Sequence, residues 1–422
     1  MSVALRQFEA MVAEQTRGLS DDEAARLRKK LMDNTALANY YSQEGKLFVT
    51  VGDEVVQTLT CERVALEYPR KDPDDPSHWQ HDSRGQVNLA RSRNGDLWAF
   101  MQDGPIFHSE DRGRSWTWTC GSSVTASKDF TFTILQDDTF LVVGSTEGNR
   151  SLLVHRSRDL GRTWECIATI NPPAPYVVIQ DDTPAMTQLS DGTILFTTQC
   201  AASTDWQEGR GHVVCRSTDH GMTWSVRQVT WEANRVTADE PEFLSYGRSS
   251  SQAGLICGES HILEVAGGKL LHTVRFQGLA EGPWEKVSKT ACFLDSEDGG
   301  LTWQNARPAL DGEGNPVLER GQCHGWSGQL PDGRIVMVHD HRYPYPQGQA
   351  IARVSHDGGK TWDRRAYHLN LGSGYPAILV LEDATIVTVS GAALYDDVGK
   401  PRASRNLWRS VAVRWKLPPR DD

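Results

Sequence analysis

Five copies of one eight-residue pattern, Ser-x-Asp-x-Gly-x-(Ser/Thr)-Trp, recur along the 422-residue chain, at Ser109–Trp116, Ser157–Trp164, Ser217–Trp224, Ser296–Trp303 and Ser355–Trp362. Each copy predicts a tight turn. The aspartates Asp111, Asp159, Asp219, Asp298 and Asp357 can bond their own loop backbone, the glycine tolerates a positive φ, and the tryptophan packs beneath. One Asp-Gly turn is common in any β protein. Five copies of so specific a pattern commit the chain to a repeated β unit, and repeats override the length prior of two or three domains.

A second repeat lies upstream of each copy, where two apolar, alternating segments flank a turn. The turns fall at Asn94-Gly95, Asp137-Asp138, Asp191-Gly192, Gly267-Gly268, Asp332-Gly333 and Asp383-Ala384. Six such units predict an all-β chain, a six-bladed β-propeller of four-stranded antiparallel blades over residues 46–422. The longest insertion, residues 225–256, carries Asp239, Glu240 and Glu242. The sixth unit lacks the eight-residue pattern, yet Ser410–Trp415 supplies a late strand, whereas Leu47–Val51 and Val55–Leu59 have no unit of their own. The two chain ends are therefore expected to complete one blade together, which removes open sheet edges. Residues 1–45 read as a short helical extension: Leu5, Phe8, Met11 and Val12 share one helical face, and Ser20-Asp21-Asp22-Glu23 is a capping box for a second helix. The extension is expected to pack on the propeller or to join subunits into a homo-oligomer.

A net charge of −11 disfavours broad contact with nucleic acid or anionic lipid. No apolar run reaches the ~18 residues needed to cross a bilayer, and the first 30 residues alternate in charge rather than forming a secretory leader. A cytoplasmic location, eight scattered thiols without disulfides, and an unused Asn149-Arg150-Ser151 sequon are the expectation.

The repeated turn resembles the Asp box of sialidases and their propeller relatives. Asp boxes lie on outer hairpins and are structural signatures, so the chemistry must be sought where the innermost strands begin. Those starts carry His81 and Gln86, Asp129, Asp182, Glu259 and His261, His324 and Trp326, and Tyr375. The resemblance implies Tyr375 as nucleophile, Glu259 as the base that takes its proton, and Arg275 as a binder of a substrate carboxylate. A phenol, with an ordinary pKa of ~10, needs such a neighbouring carboxylate to become a nucleophile near neutral pH. The chain departs from the family where an Arg-Ile-Pro motif should stand and Gln86-Val87-Asn88 is found. It departs again in the fifth unit, where Gln347 occupies the place of an arginine and Arg342 is the nearest substitute. With one or two of three arginines replaced, a bidentate grip on common sialic acid is lost. The acid is not fixed: Asp129 and Asp182 are the candidates at unit starts, with Asp103 a third.

The expected activity is that of an exo-acting glycoside hydrolase releasing a terminal acidic or deoxy sugar from a small glycan with retention, using no metal or other cofactor. His324, Trp326, His81, Gln86, Arg275 and Arg342 would line the sugar site, Trp326 as a stacking platform or as core. Two other readings stay open. A His/Tyr pair drawn from His81, His261, His324, His339 or His341 with Tyr375 suits β-elimination from a uronic acid. A propeller that binds glycans without turnover is the third.

Overall fold

A computed structural model of the protein describes residues 16–26, 45–52, 54–66, 87–101, 105–121, 130–180, 185–204, 211–229, 255–278, 288–318, 321–341, 349–371, 375–393 and 408–419. Among them the chain is nearly all β. Residues 21–26 are helical, started by the expected capping box: the Glu23 amide donates to Ser20 Oγ (3.4 Å) and the Ser20 amide donates to Glu23 Oε2 (3.2 Å). Leu5, Phe8, Met11 and Val12 lie outside the described residues, and no helix among those described is long and apolar enough to cross a membrane.

The strands begin with the hairpin β1 (Lys46–Val51) and β2 (Glu54–Leu66) and then fall into six antiparallel groups. The first is β3 (Val87–Arg91), β4 (Leu97–Met101), β5 (Pro105–Ser109) and β6 (Thr117–Gly121); the second is β7 (Phe130–Ile134), β8 (Phe140–Ser145), β9 (Leu152–Ser157) and β10 (Glu165–Ile170). In the third, β11 (Val178–Gln180) and β12 (Thr187–Gln188) both pair with β13 (Ile194–Ala201), followed by β14 (Gly211–Ser217) and β15 (Ser225–Gln228). The fourth is β16 (Leu255–Glu264), β17 (Leu270–Gly278), β18 (Ser288–Ser296) and β19 (Gln304–Pro308). The fifth is β20 (Gln322–Gln329), β21 (Ile335–His341), β22 (Gln349–Ser355) and β23 (Arg365–Leu371), and the sixth is β24 (Ala377–Val380), β25 (Ile386–Ala393) and β26 (Trp408–Trp415).

Hydrogen bonding does not separate these groups into six sheets. The first three stand alone, with four, four and five strands, but the last three join one 13-stranded sheet. Two contacts weld it. A single parallel bridge, Thr290↔Gln322, links β18 to β20, and the β1–β2 hairpin lies between the fifth and sixth groups, β1 against β23 and β2 against β26. The chain ends thus meet: Cys61 faces Trp415 and Leu66 faces Ser410 in a continuous ladder, which gives β26 a second partner beside β25.

Apolar packing follows a cyclic order. Six buried clusters each join two consecutive groups: Phe100 with Phe132, Phe196 with Leu141, Leu195 with Leu270, Phe293 with Met337, Val338 with Val413, and last Val387 of the sixth group with Leu97 of the first. Each group is therefore an apolar layer between two others, which explains why short strands hold a core at a hydrophobic content of only 38%.

The turns form as their residues dictate. All six hairpin turns contain a positive φ, at Gly95, Asp138, Gly192, Gly267 with Gly268, Gly333 and Ala384. In the first, an Asn94 oxygen accepts from the amide two residues on; Asp137, Asp191, Asp332 and Asp383 do the same in theirs. The aspartate and serine of all five Asp boxes are wired alike, and in the first three the tryptophan indole also reaches its glycine carbonyl. In the second, Asp159 accepts from the Thr163 amide (2.9 Å) and hydroxyl (2.6 Å), Ser157 Oγ accepts from the Gly161 amide (2.8 Å), and the Trp164 indole donates to the Gly161 carbonyl (2.9 Å). Those bonds, the Thr163 hydroxyl first, hold the Asp159 carboxyl down at about 2. Of the cysteines described, Cys61, Cys200, Cys215, Cys292 and Cys323 are buried free thiols and Cys166 is an exposed one.

Candidate active site

Three of the groups converge on one buried constellation. Glu259 comes from β16, Arg275 from β17, His324 from β20, Asp340 from β21, and Tyr375 stands two residues before β24. Tyr375 Oη donates to Glu259 Oε1 at 3.0 Å. The other carboxylate oxygen, Oε2, meets both Arg275 Nη1 and His324 Nε2. The far ring nitrogen, His324 Nδ1, lies 2.7 Å from Asp340 Oδ2. Cys323 Sγ closes the inner end, 3.3 Å from Asp340 Oδ1. The His324 and Tyr375 rings touch, with centroids 4.0 Å apart.

Local irregularities in the strands aim these side chains. In β16 the register jumps from Cys257↔Arg275 to Ser260↔Val274, so Gly258 and Glu259 bulge out of the ladder. In β20 it jumps from Cys323↔Asp340 to Trp326↔Val338, leaving His324 and Gly325 as the bulge. Bulges re-aim side chains that a regular strand would turn away. Gly325 is required there, because a Cβ would lie 2.4 Å from Thr273 Cγ2. Its absence lets β20 approach β17, where Thr273 and Ser327 hydroxyls bond at 2.9 Å. His324 and Tyr375 both take positive φ, 54° and 36°. For side chains of this bulk that conformation costs about 1–3 kcal/mol each, and such strain is concentrated where function demands it.

The site is also costly electrostatically. Asp340 is fully buried and Glu259 is 4% exposed. Two carboxylates at such depth persist only with cationic or donating partners, and Arg275 and His324 are those partners here. The arrangement offers a hydroxyl with a carboxylate base beside it, the base being backed by a guanidinium and an imidazole. That is the equipment of an oxygen nucleophile.

Of the residues singled out in the sequence, the structure brings Tyr375, Glu259, Arg275 and His324 together. Trp326 stacks on His261, with centroids 4.8 Å apart, and packs against the apolar clusters on both sides of the sixth group. His261 is buried, accepts a bond from the Ser327 amide, and is pushed down to about 3 by burial. His339 is likewise buried and pushed down to about 4, chiefly by burial, while His341 lies against the Gln322 amide nitrogen at 3.3 Å. His81, Gln86, Asp103, Asp129, Asp182 and Arg342 lie outside the described residues. Asp340 and Cys323 were missed as members of the site. The signal for Asp340 was present, a carboxylate two residues beyond the apolar run Ile335-Val336-Met337-Val338 on the same strand.

The BNR/Asp-box repeat family matches residues 353–364, the fifth copy of the pattern. No curated protein sequence matches the chain. Among solved structures, the α-L-arabinanase of Penicillium chrysogenum, complexed with arabinobiose, is 14% identical with a TM-score of 0.58, covering 84% of this chain and 98% of that one. The α-L-arabinofuranosidase of Fusarium graminearum, complexed with an iminosugar inhibitor, is 13% identical with a TM-score of 0.57, covering 83% and 96%. The NanB sialidase of Streptococcus pneumoniae is 11% identical with a TM-score of 0.51, covering 83% and 70%. At such identities the likeness is one of fold, and the chain thus joins the Asp-box repeat to the β fold of sialidase-like proteins.

Proposed function

We propose that the protein is a glycoside hydrolase that releases a terminal sugar from a small glycan with net retention, Tyr375 acting as nucleophile and Glu259 as its base. The observation that carries this reading is the 3.0 Å bond from Tyr375 Oη to Glu259 Oε1. In the first step Oη attacks the anomeric carbon while its proton passes to Glu259; in the second, water displaces the tyrosine and the proton returns. Asp129 or Asp182 would protonate the leaving oxygen. The cyclic order of the apolar clusters supports a six-bladed propeller over residues 46–422, with residues 1–45 as its extension and the site at its centre.

Arg275 is committed to Glu259, so it is a poor holder for a substrate carboxylate. This favours a neutral or deoxy terminal sugar over an acidic one, in keeping with the arabinose-processing enzymes that share the fold. It also counts against β-elimination by a His324/Tyr375 pair, because both ring nitrogens of His324 already face carboxylates.

The test is a panel of aryl glycosides, among them α-L-arabinofuranosides, α-L-rhamnosides, uronides and sialosides, with the anomer of the first-formed product read by proton NMR. Release of one sugar with retained configuration, lost in Tyr375→Phe, supports the proposal. An inverted product, or undiminished activity in Tyr375→Phe, overturns it. An unsaturated product absorbing in the ultraviolet would mark a lyase, and binding without turnover a glycan-binding propeller.

A further inference from the structure

The line of polar contacts does not stop at Glu259. It runs from Tyr375 Oη to Glu259 Oε1, across the carboxyl group to Oε2, on to His324 Nε2, and from His324 Nδ1 to Asp340 Oδ2. Glu259, His324 and Asp340 are all buried.

We propose that Glu259 and His324 act as one proton acceptor, a relay in which Asp340 is the positioning residue. This rests on the hydrolase reading above. At rest one proton lies in the hydrogen bond between Glu259 Oε2 and His324 Nε2. When the bond from Oη to the anomeric carbon forms and the bond to the leaving oxygen breaks, the Oη–H bond breaks as well. Its proton arrives on Oε1 while the shared proton settles on Nε2. The positive charge created thereby resides on the His324 imidazolium, whose Nδ1–H donates to the anionic Asp340. Both transfers reverse when water displaces the tyrosine, so no co-reactant is consumed.

Geometry supports each role. Asp340 sits directly opposite Cys323 in the β20–β21 ladder, and the bulge at His324 turns the ring back toward it. The 2.7 Å contact fixes Nδ1 as a donor and leaves Nε2 facing Glu259. Cys323 Sγ caps the other Asp340 oxygen. Arg275 Nη1 lies 3.4 Å from Nε2 and also meets Oε2, which keeps the two relay atoms in register. A carboxylate that orients an imidazole and stabilises its cation does for His324 what the aspartate of a hydrolase triad does for its histidine.

The experiment uses the full chain, wild type and the variants Asp340→Asn, His324→Gln and Tyr375→Phe, each checked for cooperative thermal unfolding. Two readouts are taken. The first is the substrate kinetics, with a proton inventory in mixed H₂O and D₂O on whichever aryl glycoside is hydrolysed. A bowed inventory in the wild type that becomes linear in His324→Gln, with kcat lowered about 10²-fold or more in Asp340→Asn at little-changed KM, is the expected result. Asp340→Asn with near wild-type kcat, or a linear wild-type inventory, overturns the relay and leaves the hydrolase reading standing. The second readout needs no turnover: a far-downfield imidazole N–H proton signal, present in the wild type and Tyr375→Phe and absent from Asp340→Asn and His324→Gln. Absence of that signal from the wild type overturns the relay. Its presence without hydrolysis of any substrate supports the hydrogen-bond chain and counts against the hydrolase reading instead.

Discussion

The Tyr375 hydroxyl donates to Glu259 at 3.0 Å across two strand groups whose members are 116 residues apart in sequence. If this bond delivers the nucleophile's proton, Tyr375→Phe and Glu259→Gln should each lower kcat by about 10²–10⁴-fold. Glu259→Gln retains the shape of the group and loses only the base, so a substrate with a very good leaving group should still react slowly and accumulate a glycosyl-tyrosine detectable by intact-protein mass spectrometry. Full turnover in Glu259→Gln would assign the base elsewhere.

Arg275 distinguishes a structural from a substrate-binding cation. Its guanidinium pairs with the carboxylate of Glu259 at a site where both are almost fully buried. Removing one member of a buried pair costs about 3–5 kcal/mol, because the other charge is left uncompensated. Arg275→Met should therefore lower stability by about that amount in urea unfolding. An arginine whose main task is to hold a sugar carboxylate would instead raise KM for acidic substrates while barely moving the unfolding midpoint.

How much of this was legible in the sequence depends on how local the physics is. The Asp-box and hairpin turns were legible because an aspartate bonding the amide two or four residues on, and a positive φ, are decided within one turn. The meeting of the chain ends was legible too, from strands left without a unit. The division into sheets was not: six were expected, and the bridge Thr290↔Gln322 together with the β1–β23 ladder merges three groups into one. Those pairings join segments far apart in the chain, and no local pattern encodes them. Within the site, reading the start of each inner strand found Glu259, His324 and Tyr375, whereas Asp340 was passed over because it lies near the far end of the second strand. The antiparallel return of the hairpin is what brings it beside His324.

Buried neutral histidines should make stability depend on pH in a definite window. Burial pushes His212, His261 and His368 down to about 3 and His339 to about 4. In the unfolded chain each titrates near 6.5. Between those values the unfolded state binds more protons than the folded one, so stability is complete above about pH 6.5 and is lost as pH falls toward the folded values. Each histidine contributes at most roughly 1.4 kcal/mol per pH unit within the window. The melting temperature should fall from pH 7 to pH 5, and more shallowly in His368→Gln, which keeps a polar group between Thr50 and Gln349. A flat profile over that range would mean these imidazoles are not held neutral.

The Asp-box glycines make a test of cyclic packing that is independent of the site. Gly359 has φ +84°, and a Cβ there would lie 2.7 Å from Leu271 Cδ2 of the preceding strand group; Gly300 meets Leu195 in the same way, at 2.9 Å from Cδ1. The box turn of one group is thus seated on the second strand of the group before it. Gly359→Ala should cost about 1–2 kcal/mol for the left-handed backbone and about 1–3 kcal/mol more for overpacking against Leu271. Gly148→Ala is the control: its φ is +70° but a Cβ would meet nothing within 4 Å, so only the backbone cost applies. Chemical unfolding of the two variants separates the contributions. In the double variant Gly359→Ala with Leu271→Ala, the overpacking cost of the alanine should vanish, because the truncated partner leaves room for its methyl group. If the two substitutions proved simply additive, the box would not be seated on its neighbour.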